Sequence, residues 1–179
     1  AIWPDQPAPP QGRISAFPVQ FSGYGSTEKS VDLVAVLKAH RADFIVDTQP
    51  DNIAWFLNVR GADVDFNPIP HSFVIMAGDG KVTWFVATAK LDDDLRESMP
   101  GHVRIKSPDA FLSTLANKVS TGQRVLFDPN FSPVAVRQTI EQAGGVAVPM
   151  ASALTLAKAI KNPTELEGMR SCHLDDGVA

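Results

Sequence analysis

Residues 102–149 read HVRIKSPDAFLSTLANKVSTGQRVLFDPNFSPVAVRQTIEQAGGVAVP. Strand-like runs at 102–106, 124–127 and 146–149 alternate with helical stretches at 108–119 and 133–143, each opened by a proline, which the first turn of a helix tolerates. The order strand, helix, strand, helix, strand predicts parallel pairing with helices packed on the sheet. Upstream, the apolar runs 73–77 and 82–87 flank Gly78-Asp79-Gly80-Lys81, a hairpin signal. A hairpin is antiparallel, so the sheet is expected to be mixed. The fold class is therefore α/β, a mixed β-sheet flanked by helices.

Working further outward, Phe44-Ile45-Val46 reads as a buried strand. Before it, Ser26 or Thr27 can cap a helix whose apolar positions are Val31, Val34, Val36 and Leu37, ending near His40-Arg41. Asp51 can cap a short helical segment through Leu57, and Asp92 can start another. Residues 58–70 then form a loop broken by Gly61, Asn67, Pro68 and Pro70. Five prolines between 4 and 18 (Pro4, Pro7, Pro9, Pro10, Pro18) predict an extended linker. Asn162, followed by Pro163 and by Glu165 three positions on, is a capping box with a proline start. The helix it opens runs to the last residue without a C-cap, and the chain starts without Met; both suggest a piece of a longer protein. The expected division is a linker at 1–19, an α/β domain at 20–158 and the first helix of a further domain at 159–179.

Composition narrows the class of function. The 179 residues carry 44% hydrophobic and 20% charged side chains, the balance of a globular domain that folds without a disulfide or metal. A net charge of −4 and scattered Lys and Arg leave no basic stripe for nucleic acid. The apolar runs are strand-sized, too short for a bilayer, so no membrane partner is expected. Cys172 is the only cysteine, which fits a reducing compartment, the cytoplasm.

The four histidines (40, 71, 102 and 173) show no ligand spacing, and adjacent Cys172 and His173 point about 100° apart on a helix. Asp92-Asp93-Asp94 is better suited to a helix dipole than to calcium. Gly23-Tyr24-Gly25-Ser26 lacks the third glycine of a phosphate-binding turn, since Glu28 stands there. The loop after Leu57 is the most unusual stretch. In it Arg60 could clamp a peptide carboxylate bidentately, or instead pair with Asp63 or satisfy loop carbonyls. Arg60 and His71 are the candidate substrate-binding residues; no catalytic or metal-binding residue is assigned.

Four segments resemble the Xaa-Pro aminopeptidases of the creatinase-related metallopeptidase family. Ile2-Trp3-Pro4-Asp5-Gln6-Pro7 resembles the link between their first and second domains, with Gln6 where arginine is common. Gly23-x-x-Ser26-x-x-Lys29 resembles the start of the first helix of their second domain. The run from Asp51 through Asn58-Val59-Arg60-Gly61-Ala62-Asp63-Val64 to Asn67-Pro68 resembles the family's signature loop, and Ala159 through Ala179 its first catalytic-domain helix. Pro70-His71 replaces an aromatic pair common there, and Cys172 and Asp175 replace residues often Ala and Arg.

The resemblance implies a creatinase N-terminal, ribonuclease H-like fold. It also implies a dinuclear manganese hydrolase that removes the N-terminal residue before a proline, with its metal ligands in a catalytic domain beyond residue 179. This chain would be the non-catalytic middle domain, positioning the catalytic domain and restricting access for peptide substrates. Its own first and catalytic domains would be its partners, in a homodimer of the full-length protein. The alternatives are a creatinase- or lyase-like enzyme on the same scaffold, or a free-standing small-ligand-binding module.

Overall fold

The computed structural model describes residues 3–178. Ile2 of the Ile-Trp segment and Ala179 of the final helical stretch lie outside them. The predicted hairpin joins β4 (Phe73–Ala77) to β5 (Val82–Phe85), with Phe73 opposite Phe85 and Met76 opposite Val82. Gly80 takes the φ of +83° that the turn needs and that a side chain would resist. β2 (Phe44–Asp47) pairs antiparallel with β4 and parallel with β7 (Arg124–Phe127). β8 (Val146–Pro149) extends β7, and β6 (Val103–Lys106) extends β5, both in parallel. The sheet order is β6-β5-β4-β2-β7-β8, with β4 alone running against the others. It is a mixed α/β sheet, as expected.

One part of the topology differs from expectation. β7 and β8 are parallel neighbours, but β6 lies at the far edge, separated from β7 by three intervening strands. After the hairpin β5 has one free edge, and β6 takes it through α4 (Asp93–Ser98), which Asp92 caps by accepting from the Leu95 N–H at 2.8 Å. The chain then crosses the sheet on α5 (Phe111–Lys118). Phe111 stacks on Phe73 at a ring distance of 4.6 Å and meets Phe85 edge-on at 5.2 Å, which seats the crossover.

Alternation along the strands makes two cores. Ile45, Val74, Met76, Trp84 and Leu126 face α2 (Ser26–Ala39), α3 (Pro50–Leu57) and α7 (Ala153–Ala159). Phe44, Val46, Ile75, Phe85 and Val125 face α5 and α6 (Val134–Gln142). Each such side chain, once buried, stabilises the fold by about 1.5–3 kcal/mol.

Several local readings are corrected. Gly25, not Ser26 or Thr27, is the N-cap of α2, and no side chain caps it. The buried stripe of α2 is Ser26, Lys29, Ser30, Leu33 and Leu37, and Val31 is 65% exposed. Asp51 sits inside α3 behind Pro50, with Gln49 at the N-cap. The proline-rich stretch makes a turn at Pro4-Asp5 and has no regular secondary structure from Gln6 to Arg13, but Ile14 is fully buried. From there β1 (Ser15–Ala16) pairs antiparallel with β3 (Val59–Arg60), and the short α1 (Val19–Ser22) follows. Helix α7 was not anticipated; Ser152 caps it, accepting from the Leu154 N–H at 3.2 Å. The capping box at Asn162 forms as read and opens α8 (Pro163–Val178).

Candidate functional site

α3 ends at Asn58, whose φ of +52° turns the chain out of the helix and into β3 and the long loop. Asn tolerates this left-handed conformation better than most residues. The loop is pinned at its feet by Asp63, whose side chain is wholly buried. Its carboxylate holds the Lys90 ammonium at 2.5 Å and accepts from the N–H groups of Gly12 at 3.1 Å and His71 at 2.7 Å. Beyond this anchor the loop tip is open, and Phe66 stands fully exposed with a φ of +62°.

Arg60 does not pair with Asp63, which Lys90 has taken. Its guanidinium donates to the carbonyls of Val59 at 2.9 Å and Ala54 at 3.4 Å and lies 3.9 Å over the Phe17 ring. Burial pulls its pKa below the ordinary arginine value, with the Glu165 carboxylate pulling the other way. Arg60 also lines an open groove of about 1140 Å³ between the domain body and α8, together with Phe21, Trp55, Ile69 and Met169. His71 is exposed and stands outside that lining. The structure therefore places the two candidates on the same loop but does not bring them together.

Two features of the groove were not legible beforehand. Trp55 donates its indole N–H to Glu165 at 2.9 Å, and Lys29, only 4% exposed, donates to the Trp55 carbonyl at 2.6 Å. Burial, against the partial help of Glu165, lowers the Lys29 pKa to about 8. Within the Gly23-x-x-Ser26-x-x-Lys29 segment, the lysine three residues after the serine was the one available signal.

A second polar cluster sits where β2 and β7 end. Buried Asp47 accepts from Ser152 Oγ at 2.5 Å, the Gln49 N–H at 2.8 Å and Asn52 Nδ2 at 3.2 Å, while Asp128 accepts from the Ser152 N–H at 3.0 Å. Burial raises the Asp47 pKa, and those hydrogen bonds restrain it. The void beside it holds only about 10 Å³, too small for a ligand, so the cluster fastens α7 to the strand ends. Asp51, across α3, is paired with Lys158; burial would raise its pKa, but Lys158 holds it below the usual carboxylate value.

Among the described residues, no three His, Cys, Asp or Glu side chains converge in a way that could hold a metal ion. Cys172 and His173 both border the groove, and Cys172 is a free, exposed thiol. No described helix is long and apolar enough to cross a membrane.

Comparison with known proteins places this architecture. The chain is 34% identical over 173 residues to Xaa-Pro aminopeptidase 1 of Dictyostelium discoideum, covering 97% of this chain and 27% of that one. A probable Xaa-Pro aminopeptidase P of Laccaria bicolor is 33% identical over 99% of this chain and 28% of its own. The crystal structure of X-prolyl aminopeptidase from Caenorhabditis elegans, described as a cytosolic enzyme with a di-nuclear active site, superposes with a TM-score of 0.82 at 27% identity. That match covers 96% of this chain and 28% of the other, so the chain spans little more than a quarter of the length of the relatives it matches. Residues 5–165, most of the chain, match one family model: the chain belongs to the Creatinase/Prolidase N-terminal domain family.

Proposed function

We propose that this chain is the non-catalytic middle domain of a longer, metal-dependent Xaa-Pro aminopeptidase that removes the N-terminal residue preceding a proline. The observation that supports it is the similarity of nearly the whole chain, in sequence and in fold, to enzymes named for that activity. On this reading residues 1–19 link to a preceding domain, 20–158 form the middle domain, and 159–179 begin the catalytic domain. The sheet domain holds α8 in place, and the groove beside α8 receives the catalytic domain. One rim of that contact walls the substrate path and limits it to short or unstructured peptide ends.

The donor groups described here do not fit a dinuclear centre. The two ions, manganese by family resemblance, are therefore assigned to the rest of the longer protein, and no chemical step runs through this chain. The longer enzyme is proposed to work in the cytosol as a homodimer; the Caenorhabditis elegans relative, described as cytosolic, supports the location.

Arg60, inside the groove, and His71, at the foot of the same loop, are the proposed contacts to the peptide. Arg60→Ala in the longer enzyme should raise KM with kcat little changed. The shorter of its two carbonyl hydrogen bonds, to Val59, contributes about 1.5–3 kcal/mol as a charged donor and the longer one less, so the variant should be destabilised but still fold. An unchanged KM for Arg-Pro-Pro-type peptides removes Arg60 from the site, and the same assay on His71→Ala decides His71.

A further inference from the structure

α8 leaves the domain without burying one of its side chains, so apolar packing does not fix its direction. Its first turn does, because both capping-box side chains are used twice. Asn162 Oδ1 accepts from the Glu165 N–H, and Glu165 Oε2 accepts from the Asn162 N–H, each at 3.0 Å. That is the local part, which starts the helix. Asn162 Nδ2 also donates to the Ser22 carbonyl at 2.8 Å, beside Gly23, whose φ is +75° and where a Cβ would meet the Asn162 amide at 2.6 Å. Glu165 Oε1, the oxygen the cap leaves free, accepts from Trp55 Nε1.

Trp55 is held in turn from beneath. The Lys29 ammonium binds its carbonyl and Asn58 Oδ1, both at 2.6 Å, and lies 4.2 Å from the centre of its ring. Lys29 makes no salt bridge among the described residues, so these neutral oxygens and the ring are what hold the buried cation. Asn58 passes the restraint on, donating from Nδ2 to the Tyr24 carbonyl at 2.8 Å. The helix is thus tied to α1 through Ser22 and to α3 and α2 through Trp55. Two ties to different elements fix a direction as well as a position.

We propose that Lys29, Trp55 and Glu165 form a positioning relay that sets the angle at which α8 leaves the sheet domain. Its consequence for catalysis, that these are positioning residues for the metal site of the longer enzyme, rests on the function proposed above; the relay itself does not.

The single cysteine, Cys172 on α8, gives a natural label site. With a second label at Ser113→Cys on exposed α5 surface, double electron–electron resonance reads the distance from the sheet domain to α8. The 179-residue chain should give one narrow peak. Trp55→Phe keeps a ring over Lys29 but deletes the donor to Glu165. Glu165→Gln keeps a residue that capping boxes accept, but leaves one acceptor oxygen for two donors, so one tie must go. Cys172 lies roughly 14 Å along the helix axis at ~1.5 Å per residue, so a tilt of roughly 15° moves it about 4 Å. A peak that shifts or broadens on that scale in either variant, with the circular dichroism of the parent chain retained, is the expected result. An unmoved peak in the folded variants overturns the relay.

In the longer enzyme, Trp55→Phe should lower kcat by about tenfold or more with KM held, because a misplacement of about 1 Å can cost about a hundredfold. A moved peak with unaltered kcat overturns the catalytic role and leaves the relay standing.

Discussion

Replacing Lys90 with Met tests how the signature loop is held. The Lys90 and Asp63 side chains are 3% and 0% exposed, with Nζ 2.5 Å from Oδ2. Met fills nearly the same volume and keeps an apolar stem, but leaves the Asp63 carboxylate buried with only the Gly12 and His71 N–H groups. Removing one partner from a buried pair costs about 3–5 kcal/mol. The two surviving backbone donors place this case at the low end, about 3 kcal/mol. At about 2–4 °C per kcal/mol for a chain of this size, Tm should fall by about 6–12 °C. Asp63→Ala should cost more, about 4–5 kcal/mol, because it strands Lys90 and two backbone donors together. The double variant Lys90→Met, Asp63→Ala should lose much less than the sum of the single losses, since it buries no unpaired charge. Urea unfolding followed by the fluorescence of buried Trp84 measures all four corners of the cycle. A Lys90→Met protein within about 0.5 kcal/mol of the parent, the scale of an ordinary surface change, would refute the reasoning.

Three further outcomes follow from the other buried polar groups. Lys29 has its pKa lowered from 10.5 to about 8, so between those values the unfolded chain binds more protons than the folded one. Stability relative to Lys29→Met should therefore rise as the pH climbs from about 8 to 10.5 and level off beyond; a flat difference contradicts the buried ammonium. Asp47 is shifted the other way, above 3.8, so the parent chain should gain stability over Asp47→Asn as the pH falls through the folded-state pKa toward 3.8. A carboxyl chemical-shift titration with its midpoint at or below 3.8 would count against this. Asn162→Ala removes the cap of α8 and should cost about 1 kcal/mol. The loss should appear as faster amide exchange in residues 164–166, with the sheet unaffected.

What the sequence made legible was governed by short-range rules. The hairpin at Gly78–Lys81 and the capping box at Asn162 and Glu165 depend on residues three or four apart, and both formed as read. The face of α2 was not legible, because Val31, Val34 and Val36 compete with Leu33 and Leu37 for the apolar stripe. The choice is made by Lys29, whose ammonium finds its acceptors near Trp55 and Asn58, more than twenty residues downstream. The position of β6 likewise depends on which sheet edge is left free, which spacing within 102–149 does not encode. The same reason governs the site. Arg60 and Asp63 lie three apart and looked like partners, but Asp63 is taken by Lys90 from the turn after β5, and Arg60 falls back on the carbonyls of Val59 and Ala54. His71 contributes its backbone N–H to the loop anchor while its side chain faces solvent.

The central claim is that this domain supports a peptidase centre without containing it. Its most direct test is to incubate the purified 179-residue chain with Mn²⁺ and an Arg-Pro-Pro-type peptide, following release of the first residue by mass spectrometry and metal uptake by calorimetry. The account predicts an intact peptide and no stoichiometric uptake, whereas the longer enzyme cleaves under the same conditions. Metal-dependent release of the N-terminal residue by the isolated chain would contradict it.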